Sequence, residues 1–218
     1  MTPIVLYTVD QRTPAFEAGR TAVDVICTGD SLTGWNNFGS ADSWPYRTYP
    51  DFLQNLCVPL GLRIANGGIA GEISDNGLKQ VQDYLALFPN ARCVVIGFGT
   101  NDLGMWPDTK ATSKRIIVNL GKMVQAVQGQ GKQAVLFNVP NVNEAMFASH
   151  MLEELCGTRG YHNARLKEYC GEQGIPLADI FSRLKDEHFG DELHPNDDGA
   201  EIIAEEVFKA LLLAFRAR

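Results

Sequence analysis

No two of the five cysteines form a CxxC pair, so zinc-ribbon and thioredoxin-type chemistry lack sequence support. The odd count leaves at least one thiol free. Cys27 and Cys93 sit inside apolar runs, where a thiol acts as a small hydrophobe, so reduced, structural cysteines are expected. Positive charge is scarce, with 19 Lys and Arg against 26 Asp and Glu and a net charge of −7. Such a balance argues against nucleic acid as a partner. No apolar run approaches the roughly 18–20 residues of a membrane span, so stable membrane association is not expected. The first residues, MTPIVLYTVDQRTPAFEAGR, lack a basic n-region and an apolar h-region. A cytoplasmic location is the default expectation, and a leader already removed would leave no trace. Neither an internal repeat nor a low-complexity tract is present. His150, His162 and His188 show no HExxH or HxH spacing, so no metal is expected. Asn66-Gly67-Gly68 followed by Gly71 is a poor GxGxxG, and the first strand lacks that fingerprint, so no dinucleotide or other cofactor is expected.

What is present is ordinary globular material: 218 residues, 45% hydrophobic and 21% charged. Short apolar runs stand at Ala22–Thr28, Leu62–Ala65, Cys93–Phe98, Gln133–Asn138 and Ile175–Ile180. Near-continuous runs of this length suit parallel strands covered on both faces. Helical periodicity fills the gaps, over Tyr49–Leu60, Asn76–Phe88, Thr112–Gln128, Leu152–Gly171 and Asn196–Phe215. Gly157 and Gly160 are expected to interrupt the fourth of these. Asn196 offers an N-cap to the last, and Gly61, Gly129 and Gly131 stand where helices should stop. Strands alternating with helices predict an α/β fold, a three-layer α/β/α sandwich around a five-stranded parallel sheet of flavodoxin-like topology. Residues 21–218 form one domain in this reading. Residues 1–20 are a lead-in packed on it, with no assigned role.

In such a sheet, ligands bind outside the carboxyl ends of the strands. After the first strand stands Gly29-Asp30-Ser31-Leu32-Thr33, and after the second Asn66-Gly67-Gly68-Ile69-Ala70-Gly71-Glu72. After the third stands Gly99-Thr100-Asn101-Asp102, and beyond the fifth Asp191-Glu192-Leu193-His194-Pro195-Asn196. One edge thus gathers a hydroxyl, amide donors, an imidazole and carboxylates, the parts needed for acyl transfer to serine. A serine hydroxyl needs a base, and His194 is the candidate. The imidazole needs a partner on its other nitrogen. Asp191, three residues earlier, is the first choice over Asp186, Glu187 and Glu192. Oxyanion donors are expected from the Ser31 N–H, a glycine of the second loop and the Asn101 amide.

These blocks resemble those of the GDSL esterases and lipases, the SGNH hydrolase superfamily. Gly29–Leu32 reads GDSL, Gly99–Asp102 matches GxND, and Asp191–His194 matches DxxH with Pro195 and Asn196 after it. The glycine block is looser and points to Gly71 as the oxyanion glycine, with Gly68 second. The resemblance spans residues ~22–215 in order and spacing. It implies Ser31 as nucleophile, His194 as base, Asp191 as its partner, and an oxyanion hole of Ser31, Gly71 and Asn101. The lead-in departs from it by its length. Thr33 stands where a GxSxG motif needs its last glycine, so a nucleophile elbow is not the reading.

Asp30 is expected to brace the serine loop, and Asp102 to be structural. Aromatic residues crowd Trp35–Tyr49. Trp35, Trp106, Met146 and Phe147 are the candidates for lining a substrate pocket. The expected function is a serine esterase that cleaves short-chain acyl or acetyl esters through an acyl-enzyme. Its partner is a small ester substrate, acted on by a monomer or a homo-oligomer. Acyl transfer to an alcohol, or thioester or lysophospholipid cleavage, would use the same parts. A non-catalytic carbohydrate- or lipid-binding module would carry a broken triad, and none is broken here.

Overall fold

The computed structural model describes residues 4–5, 22–35, 44–105 and 109–216. Its six strands, all parallel, are β1 (Ile4–Val5), β2 (Val25–Gly29), β3 (Ile64–Asn66), β4 (Cys93–Gly97), β5 (Gln133–Phe137) and β6 (Leu177–Ala178). They lie in the order β1-β3-β2-β4-β5-β6. The five runs read from the sequence supply β2 to β6. The lead-in adds β1, where no strand was expected, and it pairs Ile4 with Ala65 and Val5 with Asn66. The rest of residues 1–20 lies outside the described residues.

Successive strand side chains point to opposite faces. Val94 and Ile96 of β4 therefore enter one core with Ile26, Ala134 and Leu136. Cys93 and Val95 enter the other, with Val25, Cys27, Val135 and Phe137. The first core is covered by α3 (Ser74–Leu87), α5 (Thr109–Gln128) and α6 (Ser149–Gln173). The second is covered by α2 (Tyr49–Cys57) and α7 (Asp197–Arg216). Two one-turn pieces, α1 (Ser31–Gly34) and α4 (Thr100–Met105), follow β2 and β4 directly. Connections from β2 run to β3 on one side, and all later ones run to the other. The carboxyl ends of β2 and β4 thus flank the topological switch point.

Local chemistry sets the element ends. Pro50 opens α2, where its missing N–H costs no helical bond. Gly174 closes α6 in the left-handed region, its N–H bonding the Cys170 carbonyl. The last strand is shorter than its apolar run because the Asn138 Oδ1 captures the N–H groups of Ile180 and Phe181. Gly157 and Gly160 do not interrupt α6, which runs unbroken for 25 residues. Its face over α5 is buried at His162, Asn163, Leu166 and Cys170. That tertiary contact outweighs the roughly 1 kcal/mol that each interior glycine costs.

The turn from β2 into α1 is built by Asp30. Its Oδ1 accepts the Leu32 N–H at 3.0 Å, and its carbonyl accepts those of Thr33 and Gly34 at 3.1 Å. The carboxyl group is fully buried. Burial pushes it up to about 7, against the lowering effect of the Leu32 N–H and with help from the nearby Asp102 charge. Asp102 holds the other side of the switch point to α3, accepting the Ser74 N–H at 3.0 Å and the Ser74 hydroxyl at 2.6 Å.

Two outcomes follow for stability. A carboxyl raised in the folded state makes folding less favourable as pH climbs from its unfolded value, near 4, to about 7. In Asp30→Asn this dependence is absent. The stability of the variant relative to the native chain should rise between pH 4 and 8 by up to about 4 kcal/mol, measured by urea denaturation. A difference that stays flat with pH would contradict the burial argument. In α6, a Cβ at Gly157 or Gly160 would meet nothing within 4 Å. Gly157→Ala and Gly160→Ala should each raise the unfolding free energy by about 0.5–1 kcal/mol, and a fall would show that α6 needs glycine there.

Candidate active site

Ser31 is the first residue of α1 and is buried. Its Oγ lies 3.0 Å from the His194 Nε2, and the His194 Nδ1 lies 2.8 Å from the Asp191 Oδ2. The other Asp191 oxygen accepts the backbone N–H groups of His194 and Leu193 at 2.6 and 2.8 Å. Partial burial works to raise this carboxyl, but those two N–H bonds and the imidazole outweigh it and hold it below the usual carboxylate value. Asp191 therefore stays ionised beside the ring, while Asp186 accepts the Glu144 N–H elsewhere.

The loop carrying Asp191 and His194 is closed on itself. The Gly190 N–H bonds the His194 carbonyl at 2.8 Å, and Phe189 pairs with Pro195 in an antiparallel bridge. The Asn196 Oδ1 caps α7 through the Gly199 N–H, and its amide bonds the Glu187 carbonyl. Asn143, after β5, bonds the carbonyls of Glu192 and Asp191. The histidine is thus anchored to α7 on one side and to the segment after β5 on the other.

The candidate oxyanion donors stand on three loops. In α1 the N–H groups of Leu32, Thr33 and Gly34 are all taken by Asp30. The Ser31 N–H makes none of the described bonds. The Asn101 Nδ2 donates a hydrogen to the Glu72 carbonyl at 2.8 Å, which ties Asn101 to the glycine loop. Gly71, beside Glu72, is exposed and adopts φ +77°, a conformation that disfavours any Cβ. Gly68 is buried and serves packing: its N–H bonds the Asn66 Oδ1, and a Cβ would sit 2.3 Å from the Gly34 nitrogen. The second loop can therefore lie against α1 only with glycine there.

The aromatic candidates separate. Trp35 packs its ring on His194 with centroids 4.1 Å apart and planes at 69°. Met146 is 57% exposed on a short turn, and Phe147 follows it, half-buried. Trp106 lies outside the described residues. Trp44, not singled out from the sequence, is 5.5 Å from both Trp35 and His194. It is held by an ordinary device: Arg47, three residues on, pairs with Asp197 at 2.7 Å at the start of α7. A cavity of about 10 Å³ opens among Ser31, Trp44, Arg47, Thr48, His194 and Ile203, enough for one water.

The five thiols are free, four of them buried. Among the described residues, no three His, Cys, Asp or Glu side chains gather to hold a metal ion. No helix among them is long and apolar enough to cross a membrane.

Known proteins share this fold. No curated protein matches the chain. Among solved structures, a putative acylhydrolase from Bacteroides fragilis is 22% identical with a TM-score of 0.67, covering 96% of this chain and 98% of its own. A GDSL-like lipase from Bacteroides thetaiotaomicron is 19% identical with a TM-score of 0.64, covering 94% and 92%. A catalytic mutant of Axe2, an acetylxylan esterase from Geobacillus stearothermophilus, is 18% identical with a TM-score of 0.65, covering 88% and 94%. At these identities the likeness establishes the shared α/β fold. The sequence profile of one family matches residues 27–202, the stretch that carries every loop of this site. The chain belongs to the GDSL-like lipase/acylhydrolase family.

Proposed function

We propose that the protein is a serine hydrolase of short-chain carboxylic esters that works through an acyl-enzyme. The observation that carries this is the unbroken chain Ser31 Oγ, His194 Nε2, His194 Nδ1, Asp191 Oδ2, with links of 3.0 and 2.8 Å. In the first half-reaction the Ser31 Oγ attacks the ester carbonyl and its proton passes to the His194 Nε2. The tetrahedral oxyanion meets the Ser31 N–H, the Gly71 N–H and the second hydrogen of the Asn101 amide. Collapse breaks the bond to the alcohol, which leaves with the proton from His194. Water then attacks the acyl-enzyme with His194 again as base, releasing the acid and restoring Ser31. Ionised Asp191 stabilises the imidazolium formed in each half.

A short acyl group is supported by the fold likeness to an acetylxylan esterase. Trp35 and Trp44 both pack against His194. In this reading they position the base and keep its edge dry.

A panel of p-nitrophenyl esters of increasing acyl length tests both points. Ser31→Ala should lower kcat by roughly 10⁴-fold or more and abolish labelling by a fluorophosphonate, and Asp191→Asn should cost roughly 10³–10⁴-fold. Full turnover by Ser31→Ala would end the proposal. Trp35→Leu should lower kcat by about 10- to 100-fold for every acyl length alike, as expected of a displaced base. A loss confined to one end of the acyl series would instead make Trp35 a pocket wall.

A further inference from the structure

Residues 44–48 lie against the loop that carries His194, and three sets of contacts hold them there. The Trp44 ring stands 5.5 Å from the His194 ring with planes at 66°, and the Tyr46 ring lies 5.4 Å from Trp44 on another side. A Cβ on Gly190 would meet the Tyr46 Cε2 at 2.5 Å and the Trp44 Cη2 at 3.0 Å, so both rings seat on the backbone of the residue before Asp191. Only a residue without a side chain lets them come that close. Arg47 then closes the segment onto the start of α7. Its Nε and Nη2 donate to the Asp197 Oδ2 at 3.1 and 2.7 Å, and its backbone N–H donates to the Asp197 Oδ1 at 2.8 Å. The same guanidinium rests over the Phe52 ring of α2, 4.2 Å from its centroid.

Only Pro195 and Asn196 separate His194 from Asp197. Arg47 therefore grips one end of a short stretch while Trp44 and Tyr46 cover its other end at Gly190, and the His194 ring lies between the two grips. The Arg47 and Asp197 side chains are 55% and 40% exposed. An ion pair so open to solvent adds little to overall stability. Its geometry is nonetheless specific, because a planar guanidinium and a backbone N–H meet one carboxylate and fix direction as well as distance. Slight burial works to raise the Asp197 carboxyl, but the bonds from Arg47 outweigh it and hold it below the usual carboxylate value. The pair is thus closed wherever an imidazole can act as a base. An interaction that is weak in stability and strict in direction suits placement. The imidazole must meet the Ser31 Oγ on one nitrogen and Asp191 on the other, and a misplacement on the order of 1 Å can cost about 100-fold in rate.

We propose, building on the ester-hydrolase reading, that Arg47 is a positioning residue for the reaction: paired with Asp197, it holds Trp44 against His194 and so fixes the ring between Ser31 and Asp191. It acts through Trp44 and makes no contact with the ester. The role is distinct from that of Asn143, which bonds only backbone carbonyls of the loop. A ring that drifts leaves substrate binding intact and slows both half-reactions, because His194 is the base in each. The loss falls on kcat and on covalent labelling of Ser31 alike.

The test measures hydrolysis of p-nitrophenyl acetate, the rate of fluorophosphonate labelling and Tm on the same variants of the whole chain. Arg47→Met should lower kcat and the labelling rate by about 10-fold, leave KM within about twofold, and shift Tm by no more than about 3 °C. Arg47→Lys keeps the charge and loses the planar fork, so it should fall between Arg47→Met and the native chain. Asp197→Asn breaks the pair from the other side and keeps an acceptor for the Arg47 N–H. It should match Arg47→Met, and it carries the test if Arg47→Met does not fold. Trp44→Leu should lower kcat by a similar factor, and Arg47→Met added to it should cost less than about twofold more, because the two residues act in series. The inference is overturned if both pair-breaking variants keep the native kcat, if KM rises while kcat stays, or if the losses of Arg47→Met and Trp44→Leu multiply in full. Each of these results, with Ser31-dependent labelling of the native chain intact, leaves the hydrolase standing and removes only the role of Arg47. A native chain that neither labels nor cleaves any ester removes the hydrolase itself, and that role with it.

Discussion

The pairing of β2 with β4 is the constraint on which the rest depends. Five successive residue pairs, from Val25–Cys93 to Gly29–Gly97, lock the two strands in register inside a sheet covered on both faces. A slip of one residue would send Val94 and Ile96 into the wrong core and Cys93 and Val95 into the other. That penalty, spread over two hydrophobic layers, fixes where the chain leaves the sheet on either side of the switch point. Ser31 and Asn101 then follow neighbouring strands at the same edge of the sheet because the packing of distant apolar residues puts them there. No contact between the two side chains is needed.

Backbone hydrogen bonds do the finer placement. Asp30 gathers three N–H groups of α1 onto one residue and leaves the Ser31 N–H open. Asp191 likewise takes two backbone N–H groups with one oxygen and presents the other to His194. The same residue type solves two problems with opposite electrostatic results. Asp30 is fully buried and carries few compensating donors, so its proton is held more tightly. Asp191 is more open and better bonded, so its charge is secured. A carboxylate meant to stabilise an imidazolium has to be of the second kind.

Much of this arrangement was legible in the sequence because it depends on short-range patterns. Apolar runs gave β2 to β6, helical spacing gave α2, α3, α5 and α7, and the strand-end rule led to Ser31, Asn101 and the Asp191–His194 loop. The failures have physical causes. The break expected at Gly157 and Gly160 weighed local propensity alone, whereas α6 is held by its contact with α5. β1 was missed because a strand of two residues has no periodicity to read. Trp44 stood among many aromatics, and contacts distant in sequence, among them the Arg47–Asp197 pair 150 residues apart, place its segment beside His194.

The matching of polar groups stops short at one place in the site. The Ser31 Oγ, both His194 ring nitrogens and both Asp191 oxygens are bonded within the protein. Beside them the Asp30 Oδ2, the Thr33 Oγ1 and the Trp35 Nε1 are buried without a partner. A buried acceptor without a donor is least costly when its carboxyl holds a proton, and burial accordingly pushes Asp30 up to about 7. The turn that sets Ser31 in place is therefore held by one oxygen and the carbonyl of Asp30, while the other oxygen carries the cost of keeping that turn inside the protein.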